Sequence, residues 1–320
     1  MRELLTIGRY FKKRFGQRVR KIPISLQGFT CPNIDGSVAR GGCIYCRNES
    51  FSPSLTKLDP TISTKMNFQI KENPILALQL RQLKEQFSWH SNFHKDKFAV
   101  QKYMLYFQSY TNTYAPLSTL KSIYELGMNL PDVVGMSIGT RIDCIGEGLL
   151  ELLGEYVKEG KEIWLEYGIQ SVFDESLKRT NRGHLSAGIP ELFSRTRDHG
   201  IKVCAHLIYG LPQENEDMML HSLDTVLDWG IDGIKIHPLY VVKDTPLAKM
   251  YKNQQYSPIT LEAYGSLIVK SLQRIPEEIV IHRISSGAHD DLLIEPKWCF
   301  DKNIQMRYLR DLLLENKIKY

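Results

Sequence analysis

Three cysteines near the start of the chain have a spacing that suits metal binding. Cys31, Cys43 and Cys46 lie within 16 residues as C-x11-C-x2-C. Thiolates are soft ligands that select zinc, copper(I) or an iron–sulfur cluster. A structural zinc site usually has four ligands in two short pairs, whereas this segment has one pair and one further cysteine. Three thiolates on a [4Fe–4S] cluster leave one iron open to another ligand, so the spacing favours an iron–sulfur cluster over zinc.

Further polar side chains stand directly after short apolar segments later in the chain. Gln108, Ser109 and Asn112 follow one such segment, and Arg141 follows the next. A dense set of neutral donors and acceptors suits either a ligand or a polar turn. Arg141 has the charge to reach a cofactor or an anionic substrate. Asp143, two residues further on, is expected to cap the helix that follows.

Charged and imidazole side chains also alternate with apolar ones inside the later segments. Glu166 and Gln170 share one face of a buried strand, where a polar group needs a partner. Lys235 is costly inside a sheet unless it is paired, so it is expected to bind a substrate phosphate or carboxylate or to form an ion pair with Glu166. His206 is expected either to contact ribose or substrate or to be a satisfied core histidine.

The elements that position these residues alternate between short apolar strands and amphipathic helices. Strands are predicted at 22–27, 103–108, 133–139, 163–169, 202–208, 233–239 and 279–283. Helices are predicted at 74–87, 116–127, 148–159, 190–199 and 217–229, with Pro or Gly at several of their ends. The polar, pattern-poor stretch 47–73 is predicted to be a long surface loop. Cys144 and Cys204 stand alone and are expected to be small buried hydrophobic side chains.

This alternation predicts an α/β fold with a parallel sheet, because parallel strands need helical crossovers. About six strand–helix units fit a partial (β/α)6 TIM-like barrel, and a flat doubly wound sheet is the alternative. Both folds carry their chemistry at the C-terminal ends of the strands. We expect a basic N-terminal arm at 1–21, a barrel at 22–285 and a C-terminal extension at 286–320 packed on the barrel.

Composition and charge limit the class of protein. The chain has 320 residues, of which 42% are apolar and 24% charged, as in a globular protein. It has no apolar run of membrane-spanning length and no secretory signal pattern, so a cytoplasmic location without membrane contact is expected. Residues 1–21 hold eight Lys or Arg and one Glu, against a net charge of +5 for the whole chain. That basic stretch suits either a solvated helix or linker or a contact with a polyanion such as RNA phosphates.

The cysteine segment and its surroundings resemble a known superfamily. Three cysteines after the first strand, ending in Cys-x-aromatic-Cys, resemble the radical S-adenosylmethionine (radical SAM) superfamily, and the wide first gap resembles its Elp3-related branch. The YhcC/YtqA-type bacterial family is similar to the run FGQRVRKIPISLQGFTCPNIDG…GGCIYC. The similarity continues to the tail segment HRISSGAHDDLLIEPKWCFDK.

The resemblance implies the partial barrel, a [4Fe–4S] cluster and S-adenosylmethionine (SAM) as cofactors, and an outside reductant such as flavodoxin or ferredoxin. The cluster would be held by Cys31, Cys43 and Cys46, and its open iron would bind the amino and carboxylate groups of SAM. One electron then releases methionine and a 5′-deoxyadenosyl radical, which takes hydrogen from the substrate. The SAM-binding positions implied are Tyr45 against the adenine, Gln108, Ser109, Asn112, Glu166, Gln170, and Arg182 on the methionyl carboxylate.

The resemblance also implies a substrate class. Elp3 relatives modify the wobble uridine of tRNA, and YtqA-type members are associated with converting 5-carboxymethylaminomethyluridine to 5-aminomethyluridine. The side-chain carboxylate would then be held by Lys235 or Arg141, with His206 as a further candidate at the substrate. Oxidative decarboxylation of a small anionic substrate, of the coproporphyrinogen type, is the alternative reaction. A non-catalytic zinc- or RNA-binding module is the alternative class.

Overall fold

The structure is a computed structural model that describes residues 1–50, 59, 61–288 and 290–320. Its strands are β1 (Arg2–Glu3), β2 (Val19–Ile24), β3 (Lys102–Phe107), β4 (Val133–Thr140), β5 (Glu162–Gln170), β6 (Lys202–Tyr209), β7 (Gly233–Pro238), β8 (Val241–Val242), β9 (Val280–Arg283), β10 (Leu293–Glu295) and β11 (Ile318–Lys319). Its helices are α1 (Ile7–Phe15), α2 (Pro32–Asp35), α3 (Leu76–Phe98), α4 (Leu117–Met128), α5 (Leu149–Lys158), α6 (Asp174–Arg179), α7 (Ile189–Asp198), α8 (Glu216–Asp228), α9 (Pro246–Lys252), α10 (Leu261–Arg274) and α11 (Lys302–Glu315).

One parallel sheet organises the chain. Its strand order is β2-β3-β4-β5-β6-β7-β9, and every neighbouring pair is parallel. The sheet curls into a half-barrel with β2 and β9 at its edges, which confirms the predicted partial α/β barrel. All seven predicted strands are present in it. Six are placed within about a residue of their predicted bounds, and β2 begins three residues earlier than predicted.

The helices between these strands follow the predicted order. The predicted helices correspond to α3, α4, α5, α7 and α8. Helix α3 runs eleven residues beyond its predicted end, to Phe98, because no Gly or Pro interrupts the helix before Ala99, which adopts φ +52°. The predicted surface loop 47–73 lies partly outside the described residues. In the part of the chain that is described, no helix is long and apolar enough to cross a membrane.

Helix α1 forms a floor under the barrel. Phe11 of α1 packs with Met104, Trp164, Cys204 and Val280, which stand near the beginnings of four sheet strands. The Cys204 thiol is fully buried in this floor, as predicted for a small apolar side chain. Because the floor closes the N-terminal ends of the strands, ligands must enter from the C-terminal ends.

The segment expected to be a basic arm, 1–21, is part of this floor. It contains α1 and the first residues of β2, and β1 pairs with β11 at the other end of the chain. Some of its cations are engaged: the Arg2 guanidinium donates to the last carbonyls of α10, at 2.8 Å from Leu272 O and 2.8 Å from Gln273 O. Other cations remain exposed near the N-terminal ends of the strands: Lys12, Lys13, Arg14, Arg18 and Arg20.

The segment 286–320 packs on the body of the barrel. Leu309 and Leu313 of α11 belong to the main hydrophobic core. A Cβ on Gly265 of α10 would lie 2.8 Å from the Leu312 side chain, so α10 and α11 approach closely at that point. The Trp298 indole donates to Ile259 O at 3.2 Å.

Candidate active site

A cavity of about 240 Å³ lies between the cysteine segment and the C-terminal ends of the sheet strands. Ten of the predicted site residues line it: Cys31, Cys43, Tyr45, Cys46, Gln108, Arg141, Glu166, Gln170, Arg182 and His206. The strand ends lie together at this edge because all strands of the sheet are parallel.

Two arginines approach the cysteine sulfurs. Arg141 Nη1 lies 3.8 Å from Cys31 Sγ, and Arg182 Nη1 lies 3.7 Å from Cys43 Sγ. An N–H group directed at sulfur stabilises a thiolate and adjusts the potential of a thiolate-bound cluster. Arg141 directly follows β4 and Arg182 lies in the turn after α6, so the barrel fixes their positions relative to the thiols.

Two asparagines approach the sulfurs as well. Asn33 Nδ2 lies 3.6 Å from Cys43 Sγ, and Asn48 Nδ2 lies 3.7 Å from Cys46 Sγ. The Asn48 side chain also accepts a hydrogen bond from the Tyr110 backbone N–H at 3.1 Å. Each of the three sulfurs therefore has at least one N–H group near it.

The cysteine segment is fastened to the turn after α6. Asn33 Nδ2 donates to Asn181 O at 2.6 Å and to Arg182 O at 2.8 Å. In the other direction, Asn181 Nδ2 donates to Gly42 O at 2.7 Å. Gly183 has φ +78°, and a Cβ there would lie 2.2 Å from Asn33 Oδ1. The glycine is therefore required for this close approach.

Arg182 and Tyr45 each have a buried polar atom beside the thiols for which the described residues offer no partner. Arg182 Nη2 donates to Gly168 O at 2.6 Å, while its Nε is buried without a hydrogen-bond partner among the described residues. The Tyr45 hydroxyl is also buried without a partner in that part of the chain, and burial raises the pKa of Tyr45 well above its usual value. Buried polar atoms without partners are costly, so both atoms suit a bound ligand.

Arg141 is already paired with a carboxylate. Its Nε lies 2.7 Å from Asp143 Oδ1 and its Nη2 lies 2.6 Å from Oδ2, which is bidentate geometry. The prediction that Asp143 caps the next helix is therefore wrong, because α5 begins after Gly148 and the Asp143 carboxylate faces Arg141. Since its charge is balanced, Arg141 is not a free cation for a substrate.

Below the cavity, each sheet strand contributes one side chain to a connected polar layer, which we call the Glu166 cluster. Its members are Lys21, Tyr106, Ser137, Glu166, His206, Lys235 and His282. Glu166 Oε1 accepts from Lys21 Nζ at 2.7 Å, and Oε2 accepts from Lys235 Nζ and from His206 Nε2, the latter at 3.1 Å. The predicted ion pair between Lys235 and Glu166 is confirmed. Lys235 itself does not line the cavity.

The charges of this cluster are set by burial and by Glu166. Burial alone would raise the pKa of Glu166, but attraction to Lys21 and Lys235 outweighs it and holds that pKa well below its usual value. Burial lowers the pKa of His206 to about 4 and that of His282 to about 3. Both imidazoles are therefore neutral at pH 7.

Two predicted cofactor contacts have other partners. Ser109 Oγ lies 2.7 Å from Ser25 Oγ, and Asn112 Nδ2 donates to Ser109 O at 3.0 Å. Neither residue is among those that line the cavity, where Tyr110 and Thr111 of the same turn take their place. Asn112 thus stabilises the turn itself and Ser109 links it to the residue after β2, which agrees with the polar-turn alternative.

Comparison with known proteins decides the family. A model described as "Radical SAM superfamily" matches residues 38–226, and one described as "Radical_SAM C-terminal domain" matches residues 231–315. The chain belongs to the radical SAM superfamily. The first match includes Cys43 and Cys46 and begins after Cys31.

Relatives of this radical SAM protein cover most of its length. It is 36% identical to Protein YhcC of Escherichia coli over 303 residues, which is 93% of this chain and 90% of that one. It is 34% identical to YtqA of Bacillus subtilis over 297 residues, 93% of this chain and 85% of that one. The solved structure of archaeal Methanocaldococcus infernus Elp3 has a TM-score of 0.60 and 17% identity, covering 93% of this chain and 63% of that chain. The likeness to the archaeal structure shows the shared fold.

As a radical SAM protein, the chain is an enzyme that binds a [4Fe–4S] cluster and SAM. The residues at the cavity fit both groups, because three thiols with N–H groups near their sulfurs stand beside unpaired polar atoms of Arg182 and Tyr45. Within residues 1–50, 59, 61–288 and 290–320, no three His, Cys, Asp or Glu side chains surround a point that would hold a single metal ion.

Several residues of this radical SAM site were not predicted from the sequence. Asn33 and Asn48 lie next to the cysteine motif, and their closeness to it in the sequence was the available signal. Tyr106 and His237 line the cavity from β3 and β7, where their alternation with apolar neighbours marks the inner face. Arg283 also lines the cavity, from the last residue of β9, a strand that was predicted without a role for its end.

Proposed function

We propose that this radical SAM enzyme acts on the wobble uridine of tRNA and converts 5-carboxymethylaminomethyluridine to 5-aminomethyluridine. The observation that carries a catalytic function is that three thiols and the polar ends of the sheet strands open into one cavity. The substrate rests on the resemblance to the Elp3-related branch and on a surface suited to RNA. A tRNA substrate implies a cytoplasmic location.

Within this proposal, the cysteine sulfurs hold the cluster and the strand ends hold SAM. Cys31, Cys43 and Cys46 are the cluster ligands. Arg182 binds the methionyl carboxylate with its Nε, for which the described residues offer no partner, and Tyr45 lies against the adenine. When bound, the cluster and SAM supply a one-electron cleavage that yields a 5′-deoxyadenosyl radical, with flavodoxin or ferredoxin as the class of electron donor.

Two neutral side chains of the cavity would orient SAM by hydrogen bonding. Gln108 and Gln170 line the cavity from the ends of β3 and β5. Gln170 has φ +74°, a conformation that costs free energy for a residue with a side chain and that the end of β5 imposes here. Gly168 leaves room for Arg182, since a Cβ there would lie 2.7 Å from Arg182 Nη2. Glu166 lies at the bottom of the cavity and would influence bound SAM through the charge of the Glu166 cluster.

An exposed aromatic and basic surface supports an RNA partner. Trp89 and Phe93 of α3 are 60% and 43% exposed, and their rings are parallel within 7° with centroids 6.0 Å apart. The Arg20 guanidinium lies 5.7 Å from the centroid of the Phe98 ring, and Lys97 Nζ lies 5.4 Å from that of Phe93. Aromatic faces combined with cations are typical of surfaces that stack bases and contact phosphates.

This aromatic surface lies at the opposite end of the sheet from the cavity. Helix α3 ends just before β3 begins, so its last turns are near the N-terminal ends of the strands. A strand of six residues spans about 20 Å. An RNA that places a nucleotide in the cavity must therefore extend along the outside of the barrel to reach this surface, which a folded RNA is large enough to do.

The test is nucleoside mass spectrometry on total tRNA from a strain without this protein. The strain is complemented with wild type, with Cys43→Ala, or with Cys204→Ala as the matched control, since Cys204 is buried in the floor away from the cavity. We expect 5-carboxymethylaminomethyluridine to accumulate and only wild type and Cys204→Ala to remove it. An unchanged tRNA profile would overturn the wobble-uridine assignment and direct attention to small anionic substrates.

A further inference from the structure

Arg283 is a cation in the cavity that no group of the described residues neutralises. It is the last residue of β9 and lines the cavity. Among the described residues its guanidinium makes no hydrogen bond and no ion pair, whereas Arg141 is paired with Asp143 and Lys235 with Glu166. A half-buried charge without a partner is costly, which indicates that a ligand supplies the missing anion.

Within the part of the chain that the structure describes, the groups around Arg283 do not supply that anion. Its charge acts on Tyr106, His206, Lys235 and His237, which are neutral or cationic at pH 7. The nearest cluster has one carboxylate, Glu166, which already accepts from two lysines. The cluster therefore has no negative charge to spare for Arg283.

A second group without a partner among the described residues faces the same cavity. His237 lines the cavity from β7. Lys235, two residues earlier in the same strand, belongs to the Glu166 cluster. His237 Nε2 is buried without a hydrogen-bond partner in the part of the chain that the structure describes. An imidazole N–H and a guanidinium side by side can each donate a hydrogen bond to one oxygen of a carboxylate.

We propose that Arg283 and His237 form the subsite that binds the carboxylate of the substrate. The identity of that substrate rests on the proposed function, whereas the presence of an anion subsite does not. This assignment replaces Lys235 and Arg141, which already form ion pairs with Glu166 and Asp143. Arg182 stays with the cofactor because it is held between Cys43 and Gly168.

The subsite also separates substrate from product. The substrate nucleoside has a carboxylate that Arg283 attracts. The product lacks the carboxylate and keeps an amine, which is cationic at neutral pH and is repelled by Arg283. The same guanidinium therefore favours both binding of the substrate and release of the product.

The test compares two anticodon stem-loop RNAs that differ only in the wobble nucleoside, 5-carboxymethylaminomethyluridine or 5-aminomethyluridine. Binding is measured by fluorescence anisotropy with SAM-loaded holoenzyme and no reductant, so that no turnover occurs. Wild type is expected to prefer the carboxylated RNA by about tenfold or more. Arg283→Gln should lose this preference and Arg283→Lys should keep part of it. Exposed Arg307→Gln, which removes the same charge, should keep all of it.

The ratio of the two affinities isolates the carboxylate, because general attraction to RNA phosphates cancels. Full preference in Arg283→Gln would overturn the subsite. If wild type binds neither RNA, the proposed function has failed and a second arm tests the subsite alone. In that arm, thermal unfolding of the holoenzyme is measured with chloride replaced by acetate or by phosphate at constant ionic strength. Acetate should raise the Tm of wild type and Arg307→Gln but not of Arg283→Gln. An equal rise in all three would overturn the subsite.

Discussion

Arg182 joins the cysteine segment to the sheet: its Nη1 lies 3.7 Å from Cys43 Sγ and its Nη2 donates to Gly168 O at 2.6 Å. One guanidinium therefore fixes a sulfur relative to the end of β5. Its remaining N–H, on Nε, has no partner among the described residues and is left for a ligand. The position of the ligand is thus set by the same side chain that sets the position of the thiol.

Replacing Arg182 should weaken SAM binding more than it weakens the fold. For Arg182→Gln we expect a Kd for SAM about tenfold or more above that of wild type, because a hydrogen bond to a charged group is lost. Equilibrium dialysis with labelled SAM on the anaerobic holoenzyme measures it. Arg307→Gln is the control with the same loss of charge, and an unchanged Kd in Arg182→Gln would remove Arg182 from the SAM site.

Replacing any of the three cavity cysteines should remove the cluster. We expect wild type to contain about four irons and four sulfides per chain, and Cys31→Ala, Cys43→Ala and Cys46→Ala to contain almost none. Iron and labile sulfide analysis of anaerobically purified protein measures this. Cys204→Ala and Cys299→Ala, which change buried thiols elsewhere, should keep wild-type content. Zinc in place of iron in wild type would contradict the prediction.

Neutralising Glu166 should strongly destabilise the barrel. Glu166→Gln leaves Lys21 and Lys235 buried without a counter-charge, which costs about 3–5 kcal/mol of the free energy of unfolding. Urea unfolding of the holoenzyme measures this loss. The double variant Glu166→Gln/Lys235→Met should recover part of it, because one uncompensated ammonium is removed. A double variant less stable than Glu166→Gln would show that the two residues do not stabilise each other.

Stability should fall as the pH falls from about 6.5 to about 4. The pKa of His206 is lowered to about 4 and that of His282 to about 3, so both stay neutral in the folded protein. The unfolded chain binds protons on them below its ordinary histidine pKa of about 6.5, and protons bound to the unfolded state favour unfolding. Urea unfolding across this pH range tests the prediction. His282→Gln should reduce the slope, whereas exposed His221→Gln should leave it unchanged.

The aromatic surface should contribute to RNA affinity. Trp89→Ala and Phe93→Ala are expected to weaken tRNA binding by about tenfold each, since stacking of one base on an aromatic ring contributes about 1–3 kcal/mol. Both side chains are exposed, so the Tm should not change. Phe300→Ala is the matched control, because Phe300 is 57% exposed on another part of the chain. Equal tRNA affinity in all three variants would remove this surface from the RNA interface.

The sheet and most of the cavity were predictable from local pattern. Short apolar strands separated by helices specify a parallel sheet, and parallel strands bring Gln108, Arg141 and Gln170 to one edge whatever the details of packing. The pairing of Lys235 with Glu166 was expected because a lysine inside a strand needs a partner. These inferences depend on periodicity and on the cost of burial, both of which can be read from sequence.

Other parts of the site depend on contacts distant in the chain and were not predictable in that way. Asp143 stands two residues from Arg141, but the sequence pattern assigned it to a helix cap and did not show that it neutralises Arg141. Nor did it show that Arg283 has no partner among the described residues. Lys21 was counted with a basic arm because its neighbours are cationic, whereas its position in β2 directs its amine to Glu166. Which cation is free depends on partners contributed by other strands.

The parallel pairing of β1 with β11 has a consequence for synthesis of the protein. Arg2 is paired with Ile318, and the Leu5 carbonyl accepts from the Ile281 N–H at 2.8 Å. A chain that leaves the ribosome from its N-terminus therefore carries residues 2–5 without their partners until nearly all of the sequence has been translated. The barrel floor closes last, after the cysteine segment and the surrounding strand ends have been made. Residues 2–5 are thus synthesised well before their partners and are among the last to reach their native positions.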